Sequence, residues 1–221
     1  MVARASANLA DYIGLSPDEV IGRPIADIFD GFAIHQMRNR AAILRGADAV
    51  ERLFALRLME GRGLFNIAIH FSGGQVVVEV EPSSGELGDI TSTIRPMISR
   101  LDQCGDFASF YREGARQIRA LTGFDRVMVY RFAQDGSGEV VAEAVRPGIG
   151  RFLGLHYPAS DIPAQARILY TRNLLRVIAD VKAVPVPIIP ALDESGTPLD
   201  LSLSLLRSVS PIHIEYLKNM G

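Results

Sequence analysis

The chain has 221 residues, 48% of them apolar and 22% charged, with a formal net charge of -2. That length fits one large domain or two small ones with cores of their own, and the charge excludes nucleic-acid binding through bulk electrostatics. No apolar run reaches the roughly 18 residues of a membrane span, no signal-peptide pattern opens the chain, and the single cysteine, Cys104, excludes an internal disulfide, so a cytoplasmic protein is expected.

Asn8 to Ile13 is predicted as a short helix. Ser16-Pro17-Asp18-Glu19 predicts the start of another. Ser16 caps it, Pro17 suits the first helical position, and Glu19 stands where a capping box needs an acid. Phe32 to Leu44 is a further helix. Three strand-like runs follow, Val50–Met59, Leu64–Phe71 and Gln75–Glu81, with turns at Gly61 to Gly63 and Ser72-Gly73-Gly74. Ile67, Ile69 and Phe71 alternate with Ala68 and His70, the period of a half-buried strand. Short helices before a three-stranded meander predict a PAS-type sensor fold, here without the two strands that normally precede those helices.

Pro82-Ser83-Ser84-Gly85 marks a break. Beyond it Ile90, Ile94, Met97, Ile98 and Leu101 recur at helical spacing, with Pro96 set to kink or shorten the helix. This connector packs either on its own domain or against a second copy. Asp106 can cap the next helix, whose predicted buried face is Phe107, Phe110, Tyr111, Gly114, Ile118 and Leu121, and Gly123 ends it. Phe124–Phe132 and Gly138–Val145 are predicted strands around an Asp135-Gly136 turn. Ser160 or Asp161 opens a helix to about Asn173, Leu175–Val181 is a predicted strand, and proline-rich Val184–Leu199 is an irregular loop. Ser210-Pro211 starts a last helix.

The four histidines, His35, His70, His156 and His213, show no metal-ligand spacing, and Cys104 has no CxxC partner, so no metal site is expected. Asp135-Gly136-Ser137-Gly138 has neither the lysine of a phosphate loop nor the frame of a nucleophile elbow. No catalytic residue is assigned. Two segments stand out. In Pro158-Ala159-Ser160-Asp161-Ile162-Pro163 the prolines stiffen the approach to a helix, and Asp161 is either its cap or a functional carboxylate. In the stretch Arg207 to Leu217, His213, Tyr216 and Leu217 share one helix face, as core packing or as a binding surface.

PASDIPAQARILYTRNLLR and RSVSPIHIEYLKNMG resemble the two signature stretches of phytochrome chromophore-binding GAF domains. GFDRVMVYRFAQDGSGEVVAE resembles the same family, and ASANLADYIGLSPDEVIGRPIADIFD is similar to the phytochrome PAS domain. The matches keep the family's order over nearly the whole chain. The resemblance implies an α+β fold, a PAS-like domain followed by a GAF domain, each an antiparallel sheet with flanking helices. It implies a PAS domain over 1–82, a connector helix over 83–104 and a GAF domain over 105–221, the last without its closing strands.

The resemblance also implies a linear tetrapyrrole, biliverdin IXα, as cofactor. Arg176 and Arg207 match the family's propionate-binding arginines, a task that suits a planar guanidinium, and Tyr170 adds a phenol donor. Asp161 matches the aspartate whose main-chain carbonyl faces the pyrrole N–H groups, with Ile162 and Pro163 beside it. His213, near Ser210, matches the histidine that contacts the ring system. Tyr130, Tyr157 and Tyr216 match aromatics around the isomerising end ring.

Three departures qualify the match. The family attaches its pigment through a cysteine upstream of the PAS domain or just after the matching histidine. The upstream region is absent and the second position is Ile214, so non-covalent binding is expected here. The chain stops before the family's last GAF strands, and no PHY-like or kinase segment follows. The implied parent is a homodimeric red/far-red photoreceptor with downstream PHY and histidine-kinase domains, this chain itself catalysing nothing. The alternative is a pigment-free PAS–GAF scaffold acting through protein contacts.

Overall fold

The computed structural model describes residues 1–44, 48–85 and 90–220. In chain order they form β1 (Ala5–Ser6), α1 (Leu9–Ile13), α2 (Pro17–Val20), a 3-10 turn (Ile25–Asp27), α3 (Gly31–Ile43), β2 (Glu51–Arg57), β3 (Leu64–Ser72), β4 (Gln75–Pro82), α4 (Ile90–Asp102), α5 (Phe107–Thr122), β5 (Arg126–Phe132), β6 (Gly138–Val145), β7 (His156–Tyr157), α6 (Ala164–Arg172), β8 (Ile188–Ile189) and α7 (Pro211–Asn219). The fold is α+β, and every strand pairing among the described residues is antiparallel. By compactness the chain divides into one unit of Met1–Glu86 with Leu169–Gly221 and a second of Leu87–Ile168.

In the first unit, the Glu19 carboxylate accepts from both the N–H and the hydroxyl of Ser16, at 2.7 and 2.8 Å, which ties down the start of α2. The meander runs β2-β3-β4. Ser72 faces Gln75 at the tip of the β3–β4 hairpin, and the two residues between, Gly73 and Gly74, both take positive φ. A two-residue turn matching the strand twist needs that conformation at both positions. Ile67 and Ile69 on one face of β3 join Leu53, Leu58, Ile34 and Met37 in the main core.

The other face of β3 differs from the alternation read in the sequence. Ala68 and His70, expected toward solvent, are 5% and 0% exposed. Residues 200–206 cover them. Ser72 Oγ donates to the Asp200 carbonyl at 2.7 Å, Ser204 Oγ lies 3.4 Å from His70 Nε2, and Glu79 takes the N–H groups of Leu205 and Leu206. A period of two states which side chains share a face; distant chain decides whether that face is wet.

β1 pairs with β8, inside the stretch expected to be irregular throughout. Arg4 extends this contact by donating to the carbonyls of Ala191 and Thr197, with Asp193 at 3.4 Å. The strand expected over Leu175–Val181 is absent. Its apolar, β-branched run suits a strand, yet a strand exists only with a paired neighbour, and here side chains rather than ladder bonds anchor the backbone.

In the second unit, Asp106 caps α5 by accepting from the Ser109 N–H at 2.7 Å, and Gly123 closes it at φ 71°. The face expected to be buried is largely open: Phe107 is 78% exposed, and Phe110, Ile118 and Leu121 are also exposed. Fully buried Ala115 sets the close approach instead, a small side chain letting the backbone near its neighbours. Gln117, also buried, donates to the Met97 carbonyl at 3.2 Å and so ties α5 to α4. Of the connector expected over 83–104, residues 86–89 and the Ile90 side chain lie outside the described residues, while Ile94 and Ile98 are exposed.

Candidate functional site

In the second unit the pairing of β5 with β6 shifts register between Val129 and Tyr130. Tyr130 lies 5.0 Å from the Phe132 ring and 6.0 Å from the Tyr157 ring of β7. Gly138 makes this arrangement possible. A Cβ there would stand 2.2 Å from Tyr130 Cε1, so the phenol ring rests where a side chain would otherwise project. Burial raises the Tyr130 pKa, and the Asp161 carboxylate raises it further.

Helix α6 begins at Ala164, later than the expected start at Ser160 or Asp161. Pro163 explains the delay, because the residue before a proline is kept out of the helical region. Asp161 is therefore not the helix cap. Its carboxylate takes the Ser160 hydroxyl at 3.4 Å, and its N–H donates to the Pro158 carbonyl at 3.1 Å. Arg167, one turn into α6, reaches back to the carbonyls of Ala159 and Ile162 and so holds the turn containing Asp161, Ile162 and Pro163. Gly136 leaves room for it, since a Cβ there would meet Arg167 Nη2 at 3.0 Å. Further along, Glu143, 1% exposed, accepts from the N–H groups of Phe152 (3.1 Å) and Leu153 (3.3 Å) and pairs with Arg126 at 3.6 Å. Arg126 stacks 3.8 Å over the Phe152 ring. The loop leading into β7 is thus fixed by a buried charge pair.

In the first unit Ser210 caps α7, accepting from the His213 N–H at 3.3 Å, with Pro211 at the first helical position. Tyr170 and Tyr216 are both part-exposed, at 39% and 41%. Arg176 donates to the main-chain carbonyls of Leu205 and Arg207. Burial lowers its pKa, and the neighbouring Arg207 charge lowers it further. Arg207 Nε is buried and has no acceptor. Burial and the Arg176 charge also depress the His213 pKa, keeping its imidazole neutral at ordinary pH. Arg176, Arg207 and His213 are thus brought together in this unit, as Tyr130, Tyr157 and Asp161 are in the other.

His70, Glu79 and Ser204 line up in the order of a hydrolase triad, but Ser204 is buried and both Glu79 oxygens are committed to main-chain amides. No substrate reaches that serine. Burial lowers the His70 pKa, more than the nearby Asp200 charge raises it; Glu79 Oε1 is 3.8 Å from Nδ1. A histidine held neutral in the fold takes up a proton on unfolding below its ordinary pKa of about 6.5. The unfolded state then binds more protons, so stability falls as pH drops from about 6.5 toward the depressed folded value. The expected slope from His70 is at most about 1.4 kcal/mol per pH unit. Urea unfolding at pH 5 to 8 should show that fall, and His70→Gln should flatten it; parallel curves for the two proteins would contradict this account.

Sequence reasoning missed Glu79, His70, Gly138, Arg167 and the Arg126–Glu143 pair. A carboxylate within an apolar strand run, as at Glu79, was the available signal. Among the described residues no group of three or more His, Cys, Asp or Glu could hold a metal ion, and no helix is long and apolar enough to cross a membrane.

A family model described as a PAS fold matches residues 1–83. A bacteriophytochrome of Xanthomonas campestris pv. campestris is 49% identical over 156 residues, 70% of this chain and 25% of its own length. A phytochrome-like protein of Synechocystis sp. is 36% identical across 100% of this chain and 30% of its own length. The chain thus spans about a quarter to a third of these relatives. The solved chromophore-binding domain of an unusual R. palustris bacteriophytochrome superposes with a TM-score of 0.85 at 37% identity, covering 99% of this chain and 72% of that one. That of a Stigmatella aurantiaca phytochrome gives 0.83 at 37% identity, over 99% and 73%.

Proposed function

The chain belongs to the phytochrome family, and from that premise we propose that it is the pigment-holding part of a red/far-red photoreceptor, taking up biliverdin IXα without a covalent bond to this chain. In this reading residues 1–82 are the PAS domain, 83–104 the connector and 105–221 the GAF domain. The observation that carries it is the arginine pair. Arg207 Nε is buried without an acceptor, and the Arg176 charge is held beside it. Holding like charges together, partly out of water, is costly unless anions join them; the Glu79 carboxylate offsets the Arg176 penalty only in part, and a tetrapyrrole with two propionates supplies further carboxylates.

Each side chain then has a task. Arg176 and Arg207 hold the propionates, with donors left on Arg176 beyond those spent on main-chain carbonyls. Tyr170 and Ser210 add hydroxyls. His213, kept neutral, offers a hydrogen bond without adding a third positive charge. Tyr130, Tyr157 and Tyr216 flank the end ring, with Gly138 admitting the Tyr130 ring. Asp161, free of a capping role, can exchange partners, while Ile162 and Pro163 give the turn its shape. The pigment supplies long-wavelength absorption and a bond that light can isomerise. Downstream PHY and histidine-kinase domains, a homodimeric parent and a cytoplasmic setting complete the proposal, and the chain itself catalyses nothing.

Mixing the protein with biliverdin should produce a strong red absorption band. Absence of a band with excess pigment would leave the pigment-free scaffold as the reading. Cys104, whose Sγ lies 3.5 Å from the Arg100 carbonyl, sits outside the signature segments and should carry no pigment on a denaturing gel.

A further inference from the structure

We infer that Glu79, a PAS-strand residue, positions the anion-binding arginines through the main chain between them, an inference that rests on the bilin reading above. Glu79 lies on β4, and its side chain is only 10% exposed. Its two oxygens take successive amides, the N–H of Leu205 at 2.8 Å and that of Leu206 at 2.7 Å. Arg176 donates to the carbonyls of Leu205 and Arg207. The same short stretch is therefore held at its N–H groups by a carboxylate and at its C=O groups by a guanidinium, and Arg207 is the next side chain along. Asn173 steadies the stretch from behind by donating to the Leu203 carbonyl at 2.9 Å.

Stability alone does not explain this choice of residue. Burial raises the Glu79 pKa in spite of the two amides and the Arg176 and Arg52 charges that work the other way. A carboxylate in such a place costs more than an apolar side chain of the same size. What it provides is direction: two acceptor oxygens at fixed separation set the orientation of two consecutive peptide planes. That orientation aims Arg207, and through the Leu205 and Arg207 carbonyls it also locates the Arg176 guanidinium. Glu79 touches no pigment in this scheme; it acts through the arginines.

The test is Glu79→Gln in this chain, whose single cysteine lies outside the signature segments. The amide keeps the shape but offers one acceptor oxygen and turns its NH2 against an N–H. Biliverdin and its dimethyl ester are titrated side by side. The ester keeps the ring system and lacks the charged carboxylates, so it does not draw on the arginines. Glu79→Gln should weaken biliverdin roughly tenfold and the ester less than about twofold, as expected for lost charge-assisted bonds. In the pigment-free protein, the Leu205 and Leu206 amides should exchange hydrogen roughly tenfold faster. Equal weakening of both ligands would make Glu79 a general structural residue and overturn the inference. So would unchanged affinities, or unchanged exchange at those amides. If the unsubstituted protein takes up neither ligand, the photoreceptor reading falls and this inference with it, an outcome distinct from the others. Should Glu79→Gln fail to fold, the same comparisons are made on Glu79→Asp, whose shorter carboxylate reaches one amide at most.

Discussion

Replacing Arg176 by alanine is expected to weaken biliverdin uptake by roughly a hundredfold. Two losses combine. The direct charge-assisted contact with a propionate is worth about 1.5–3 kcal/mol, or roughly ten- to hundredfold in affinity. The Leu205 and Arg207 carbonyls also lose their shared donor, so the surviving arginine is less well placed. Arg176→Lys should recover only part of the loss, because an ammonium keeps the charge but cannot bridge two carbonyls and a carboxylate with a planar fork. Titrating the absorbance of the bound pigment decides the point. Equal affinities for Arg176→Ala and the unsubstituted protein would remove Arg176 from the site.

Ile69→Ala is expected to damage the fold severely. Ile69 is fully buried among Ile67, Leu58, Leu53 and Ile34 on the core face of β3. Truncating such a residue costs about 2–5 kcal/mol, out of the roughly 5–15 kcal/mol that holds a typical domain together. A fall in Tm of roughly 5–15 °C follows at this chain length. Phe107→Ala is the control. A larger side chain is removed, but it is 78% exposed, and the change should stay within about 0.5 kcal/mol. Thermal melts of the two variants should therefore rank opposite to the sizes of the groups deleted. The reverse ranking would mean that the stripe on α5 is covered after all.

What could be read in the sequence was what is local along the chain. Ser16 with Glu19, Asp106 with Gly123, and Ser210 with Pro211 mark helix ends because cap and helix are a few residues apart. The β3–β4 hairpin was legible for the same reason, its turn chemistry sitting between its strands. The family signatures singled out Asp161, Arg176, Arg207 and His213 by position. Glu79 and His70 were out of reach because their partners lie 126 and 134 residues away. The stripe from Phe107 to Leu121 has the right period, but period does not say what covers it. Leu175 to Val181 has the apolar, β-branched composition of a strand without a paired neighbour. Gly138 reads as a turn residue until Tyr130 is found lying across it.

The two-sided burial of β3 also has a consequence for how the chain is made. The hairpin and its core face are complete once residue 82 has left the ribosome, yet Glu79 meets its amides only 126 residues later. At synthesis rates of about 5–20 residues per second, that is a delay of roughly 6–25 s. Throughout it, the side of the hairpin bearing His70, Ser72 and Glu79 faces solvent uncovered. Those three residues are polar, and a nascent sheet that waits with a polar face outward does not recruit other chains as an apolar one would. The carboxylate and imidazole that burden the finished fold keep the unfinished one in solution.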